Sequence, residues 1–260
     1  SRMQEYAEQA VAKHVTGELQ PLFDKEQKNN KNAPYASAIS ATRARANLAR
    51  AKRQSSRYIE MKKAGFSDAE IDEAFLKPVE MTVYSLTGDK DTVMTPLDSI
   101  RYYKSFLRTG FMCMDAETGH VKAYVGGVNY SYFQYDMCTQ GKNQVGSTIK
   151  PFLYSLAMEN GWSPCDEAPN VQQTYVVAGN QLWTPRNGSR SRYGEQVTLK
   201  WGLATSNNWI SAYLLNQLSP DLFVRLLHDF GAKNQDIHPS LALCLGPCNL
   251  SVAEMVGAYS

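Results

Sequence analysis

Residues 146–152 read Gly146-Ser147-Thr148-Ile149-Lys150-Pro151-Phe152. The serine and the lysine are three apart at the start of a helical pattern that continues through Ile149, Phe152, Leu153, Leu156 and Ala157. On a helix, positions i and i+3 share a face about one turn apart, so the spacing predicts an amine within reach of a hydroxyl. A serine hydroxyl is a weak nucleophile until a neighbouring base takes its proton. Lysine can be that base only if burial or a nearby cation lowers its pKa. A helix N-terminus beside Ser147 adds N–H groups that favour an oxyanion. Alone the pattern is weak, because about one chance Ser-x-x-Lys is expected in a chain of this length, and a serine there also serves as an ordinary N-cap.

A second fragment, Ser206-Asn207-Asn208, follows about sixty residues later and leads into an apolar helical run from Trp209 to Leu218. Its hydroxyl can relay a proton to a leaving amine. The Asn208 amide both donates and accepts, which suits holding a peptide group. The competing reading is a polar loop that caps the next helix. Ser-x-x-Lys followed in this order by Ser-x-Asn occurs together in one superfamily of serine acyl-transfer enzymes.

Outward from these motifs the chain divides by composition. Residues 1–27 carry apolar positions at helical spacing (Tyr6, Ala10, Val11, Val15, Leu19, Leu22, Phe23), and 25–34 form a polar loop. A second helix is predicted from Ala36 to about Ala64, with Arg43, Arg45, Arg50, Lys52, Arg53, Arg57, Lys62 and Lys63 on it. It is read as a solvated face in preference to an anionic-surface contact, since little aromatic material is interleaved. Ser67-Asp68-Ala69-Glu70 has the form of a capping box opening a short helix through Phe75. Met81–Ser85 is predicted as a strand, and Thr95-Pro96 as the start of a helix that Gly110 ends. From Phe111 the pattern changes to two short strands, Phe111–Asp115 and His120–Val125, joined by a turn in which Gly119 takes a positive φ. Beyond Thr198 the chain is again mostly helical.

The bulk numbers narrow the field. The chain has 260 residues, 43% hydrophobic and 20% charged, with a net charge of +2, an ordinary folded composition that points to no nucleic-acid partner. No apolar run has the length of a membrane span and no signal peptide opens the chain. Five cysteines make no disulfide framework. Cys244 and Cys248 are read as two small buried residues or one loose pair across Gly246-Pro247. The four histidines form no metal cluster, and no cofactor or metal is expected.

The context of the two motifs resembles the transpeptidase domain of class A penicillin-binding proteins. Residues 146–152 resemble that family's nucleophile segment nearly residue for residue. Asp115 to Gly127 is similar to the hairpin before it, and Trp183-Thr184-Pro185-Arg186-Asn187 to its W-x-P-x-N element. Leu245-Gly246 and Leu250 to Met255 resemble the stretch that follows. Gln9-Ala10-Val11 and Met94 to Ser99 look like the linker that joins a glycosyltransferase domain to the transpeptidase.

The resemblance implies an α/β (α+β) fold of the β-lactamase/transpeptidase type, an antiparallel sheet packed by helices. It divides the chain into a helical linker at 1–110 and an N-terminal part of a transpeptidase at 111–260. It implies a D-Ala-D-Ala transpeptidase with Ser147 as the acylated nucleophile, Lys150 as its base, Ser206 as proton relay and Asn208 holding the donor peptide. Trp183, Pro185 and Asn187 are then substrate-binding. Partners would be peptidoglycan stem peptides and, as covalent inhibitors, β-lactams, at the periplasmic face of the inner membrane. A serine β-lactamase or β-lactam receptor of the same fold is the alternative, and Glu167 is the only carboxylate considered for deacylation. A non-enzymatic scaffold binding membrane or nucleic acid through residues 43–63 is the third reading. The family's Lys-Thr/Ser-Gly motif does not occur in these residues. The expectation is therefore a fragment with little turnover of its own, without the glycosyltransferase domain and membrane anchor of the family.

Overall fold

A computed structural model describes residues 1–260. The chain forms two compact units, one of residues 1–109 with 125–134 and one of 110–124 with 135–260.

The first unit is mainly helical. Helix α1 (Arg2–Ala10) starts at Ser1, whose side chain accepts from the Gln4 N–H. It runs through a π-helical stretch at Val11–Leu19 into α2 (Gln20–Gln27). Gly17 and the β-branched Val15 and Thr16 are poor α-formers, in keeping with looser winding there. Gln20 is buried, donating to the Ser105 carbonyl at 2.9 Å and accepting from the Leu107 N–H at 2.7 Å, so one amide ties the helix to the end of the unit.

The single basic helix expected over 36–64 is two helices, α3 (Ala41–Gln54) and α4 (Ser56–Lys63). Ser55 breaks it because its extended backbone lets the hydroxyl accept from the Tyr58 N–H and donate to the Lys52 carbonyl, a cap that competes with continued helix. Helix α5 (Asp68–Leu76) has the expected capping box, with both Ser67 and Glu70 bonds made.

Strand β1 (Val79–Ser85) pairs antiparallel with β2 (Gly88–Met94), from Val79↔Met94 to Ser85↔Gly88. The second strand was not predicted, its Asp89-Lys90-Asp91 being polar and exposed on both faces. Helix α6 (Pro96–Lys104) begins at the Thr95 cap, which accepts from the Asp98 N–H. It ends at Ser105, five residues before Gly110. Ser105 donates its hydroxyl back to the Tyr102 carbonyl. Beyond it Phe106 enters an aromatic cluster with Tyr84 and Phe133, at centroid distances of 5.1 and 5.7 Å, and this packing ends the helix early.

The second unit carries the rest. Strands β3 (Phe111–Met114) and β4 (Val121–Val125) form the predicted hairpin, with Gly119 at φ 68° in its turn. Strand β5 (Lys142–Gln144) leads to a 3₁₀ turn at Gly146–Ile149 and helix α7 (Lys150–Glu159). There follow β6 (Glu167–Pro169), β7 (Tyr175–Val177), β8 (Gln181–Trp183) and β9 (Gln196–Thr198). Helices α8 (Leu199–Ala204), α9 (Asn208–Gln217) and α10 (Pro220–Asp229) come next. Strand β10 (Asn249–Ser251) and helix α11 (Val252–Tyr259) close the unit. Pairing is antiparallel, β10 with β5, β6 with β9 and β7 with β8, each as a two-stranded piece. The fold is thus mixed α/β with a helical N-terminal region and small antiparallel sheets.

Helices α7 and α9 are apolar nearly all round, as a helix buried on every side must be. Leu153, Leu156 and Ala157 of α7 pack in one core with Ile210, Leu214 and Leu215 of α9, Phe223 and Leu227 of α10, and Leu243. None of the five cysteines forms a disulfide, and Cys244 and Cys248 are buried. No helix is long and apolar enough to cross a membrane. Leu214 is fully buried at the centre of this core. Leu214→Ala is expected to lower unfolding free energy by about 2–5 kcal/mol, read from the urea midpoint at unchanged m-value.

Candidate active site

Lys150, the first residue of α7, is 1% exposed. Burying an amine among apolar side chains disfavours its charged form. Desolvation accordingly pushes Lys150 down to about 8 from 10.5, opposed in part by Cys244. The amine keeps three acceptors: the Ser206 carbonyl at 2.6 Å, the Ser206 Oγ at 3.1 Å and the Asn208 Oδ1 at 2.6 Å. An ammonium has three protons, so each is placed.

Those acceptors come from the junction of α8 and α9. Helix α8 ends in a Schellman motif, with the Ser206 N–H bonded to the Leu203 carbonyl at 2.9 Å and the Asn207 N–H to the Gly202 carbonyl at 2.8 Å. Ser206 takes the left-handed position of that motif, φ 53°, where glycine is the usual occupant. A serine there costs about 1 kcal/mol of backbone strain, and in return presents both its carbonyl and its hydroxyl to Lys150. Asn207 then caps α9, accepting from the Trp209 and Ile210 N–H groups at 2.9 and 3.2 Å. Asn208 is fixed on every side: its N–H donates to Asn187 Oδ1 at 3.0 Å and its amide to the Arg186 carbonyl at 2.8 Å, while its oxygen faces Lys150. One amide N–H of Asn208 is left for another acceptor.

Ser147 lies in the 3₁₀ turn and is exposed. It lines a cavity of about 370 Å³ with Asn187, Ser191, Trp201, Ser206 and Asn208 among others. The turn is held by residues one hundred positions later: the Gly146 N–H donates to the Gly246 carbonyl and the Val145 N–H to the Cys248 carbonyl, both at 3.0 Å. Gly246 has φ +66°, and a Cβ there would stand 2.1 Å from the Gly146 carbonyl oxygen. Only glycine lets the two backbones approach so closely.

The structure therefore brings together Ser147, Ser206, Asn208 and Asn187 at one cavity, with Lys150 beneath it. The other two residues of the W-x-P-x-N element stand apart from the cavity lining. The Pro185 carbonyl accepts from Trp209 Nε1 at 3.1 Å, and Trp183 packs its ring 6.0 Å from that of Tyr175 in the β7–β8 hairpin. Glu167 is exposed on β6, and no carboxylate lines the cavity. Sequence reasoning passed over Asn170 and Asn207, buried amides bonded to each other at 2.9 Å. Asn207 sits inside the Ser-x-Asn motif, but no local spacing marks Asn170.

Two outcomes are expected of this geometry. The Lys150 side chain, followed by NMR of its ε-methylene carbon, is expected to titrate near 8, well below the 10.5 ordinary for lysine. Ser206→Gly keeps the Schellman turn and relieves about 1 kcal/mol of strain, but it deletes a hydrogen bond to a buried charge worth about 1.5–3 kcal/mol, so stability is expected to fall by up to about 2 kcal/mol; calorimetry checks the sign.

Comparison with known proteins gives two family matches: the penicillin-binding protein transpeptidase domain over residues 109–239, just over half of the chain, and the penicillin-binding protein middle domain over residues 30–107. The chain is 31% identical to penicillin-binding protein 1A of Haemophilus influenzae over 152 residues, 58% of this chain and 18% of that protein. It is 32% identical to penicillin-binding protein 1A of Neisseria flavescens over 157 residues, 59% of this chain and 19% of that one. The matched segments thus span under a fifth of these relatives' length. The crystal structure of penicillin-binding protein 1A from Haemophilus influenzae superimposes with a TM-score of 0.58 at 21% identity, covering 100% of this chain and 40% of that one, a likeness of fold.

Proposed function

The chain belongs to the penicillin-binding protein transpeptidase family, and from that premise we propose that its cavity is the acyl-transfer site of a serine D,D-transpeptidase that cross-links peptidoglycan stem peptides. The observation that carries the reading is the dry Lys150 amine held by Ser206 and Asn208 one turn from an exposed serine. A lysine near 8 has an appreciable neutral fraction at neutral pH, which a base requires.

In the proposed reaction the Ser147 hydroxyl attacks the penultimate carbonyl of a D-Ala-D-Ala stem. Its proton goes to neutral Lys150, which has given up one of its three donated bonds. Neutral Lys150 keeps its two short donated bonds, to the Ser206 carbonyl and Asn208 Oδ1, and releases the bond to Ser206 Oγ, at 3.1 Å the longest of the three, which leaves its lone pair free for the Ser147 proton. The tetrahedral intermediate collapses as the C–N bond breaks, and the leaving D-alanine amine takes a proton through Ser206. An amine of a neighbouring stem then attacks the acyl-enzyme carbonyl and passes a proton to neutral Lys150; the ester C–O bond breaks, and the Ser147 oxygen takes that proton back. Asn208 holds the donor peptide with its remaining amide N–H, beside Asn187. Pro185 acts by fixing the loop that carries Asn187, and Trp183 extends the binding surface along the hairpin. β-Lactams acylate the same serine.

On this reading residues 1–110 are the linker between a glycosyltransferase and a transpeptidase domain, and 111–260 belong to the transpeptidase, working on the periplasmic side of the inner membrane. The carboxylate-free cavity lining favours a slowly hydrolysed acyl-enzyme over a β-lactamase. Intact-mass measurement of the full-length gene product after penicillin treatment is expected to give one long-lived adduct, absent from Ser147→Ala. Its rate of formation rises with pH through a midpoint near 8. An adduct that persists in Ser147→Ala, or a parent that never forms one, would overturn the assignment.

A further inference from the structure

We infer that Asn170, buried behind the cavity and outside both motifs, is a positioning residue for acylation: through Asn207 it joins two segments that line the cavity and keeps Lys150 dry. The inference rests on the reading of Ser147 and Lys150 given above.

Asn170 is fully buried at the end of β6, and its hydrogen-bonding capacity is directed at two separate segments. Toward the first, its Nδ2 donates to the Ser191 carbonyl at 2.9 Å and the Arg192 carbonyl at 2.7 Å. Its backbone N–H donates to the Glu195 carbonyl at 2.9 Å, and its carbonyl accepts from the Gly194 N–H at 3.0 Å. Residues 191–195 are thus held by four bonds from one residue. Toward the second, its Oδ1 accepts from Asn207 Nδ2 at 2.9 Å. Asn207 spends its own oxygen on the N-terminus of α9, and lies between the two residues that hold the Lys150 amine. Both segments reach the cavity: Ser191 lines it, as do Ser206, Asn207 and Asn208.

A buried amide pair in which both nitrogens and both oxygens are bonded is costly to disturb, because a lost partner leaves a polar group dry and unpaired. The pair is also specific in sense. The Asn207 oxygen is committed to the helix cap, so its nitrogen must face Asn170. The Asn170 oxygen must then face Asn207, which leaves its nitrogen for the two carbonyls of residues 191 and 192. Neither amide can flip without setting oxygen against oxygen. Severing the pair frees the 191–195 segment from the Ser206–Asn208 turn and admits water to Lys150. A hydrated lysine returns toward 10.5, and the neutral fraction that acylation draws on falls.

The test uses the full-length gene product and the rate of penicillin adduct formation as a function of pH. Asn207→Ser keeps an oxygen able to cap α9 and removes only the N–H toward Asn170. Asn170→Asp keeps the acceptor toward Asn207 and turns an oxygen on the Ser191 and Arg192 carbonyls. Both are expected to slow acylation at pH 7 at least tenfold and to move the pH midpoint up from about 8, with much of the rate recovered at pH 9.5. Leu214→Ala, which loosens the core away from the cavity, serves as the control for general destabilisation and is expected to leave the midpoint in place. Wild-type rates and midpoint in a folded Asn207→Ser protein would overturn the inference while the parent's adduct at Ser147 left the transpeptidase reading standing. An equal midpoint shift in Leu214→Ala would overturn it also, since any loosening would then suffice. Absence of an adduct from the parent would remove both.

Discussion

A cation taken out of water governs this structure. The Lys150 ammonium has lost its hydration, and the loss is tolerable only because three oxygens replace it at hydrogen-bonding distance. Holding those oxygens accounts for much of what surrounds them. Helix α8 stops after six residues and turns through a left-handed serine, and α9 begins two residues later behind an asparagine cap. A loop from Pro185 to Asn187 braces Asn208 and Trp209 from the other side. Removing any one of these supports moves an acceptor away from a buried charge.

The rigidity this requires comes from helices rather than from a broad sheet. The strands of the second unit pair only in twos, and a two-stranded piece has little stability of its own. Helices α7 and α9 supply the stiffness, packed on each other and on α10 through buried leucine, isoleucine and phenylalanine side chains. Lys150 stands at the start of one of these helices and its acceptors at the start of the other. The site therefore has the precision of packed helix ends, which hold geometry better than free loops.

Some of this was legible in the sequence because the relevant spacing is local. Two residues between Ser147 and Lys150, or one residue between Ser206 and Asn208, mean the same thing in any helix or turn. The capping boxes and the hairpin around Gly119 follow from the same short-range chemistry. The break at Ser55 was concealed by basic residues that continue on both sides of it, and strand β2 by polar side chains on an exposed hairpin. The early end of α6 depends on an aromatic cluster assembled from residues 84, 106 and 133, far apart in the chain. Asn170 is the extreme case. Its importance lies in contacts 21, 22 and 37 residues away, and an asparagine after a proline signals nothing by itself.

The crossing of Gly146 and Gly246 bears on the order in which the protein takes shape. The turn that presents Ser147 is fastened by backbone that a ribosome makes one hundred residues later. At ~5–20 residues per second, that is ~5–20 s of synthesis in which the serine has been made but its seat has not. A nascent chain therefore passes through a period when Ser147 lacks its fixed turn. Closure of this contact is a late and long-range event in the polypeptide's growth, and the turn that carries Ser147 is complete only once it has formed.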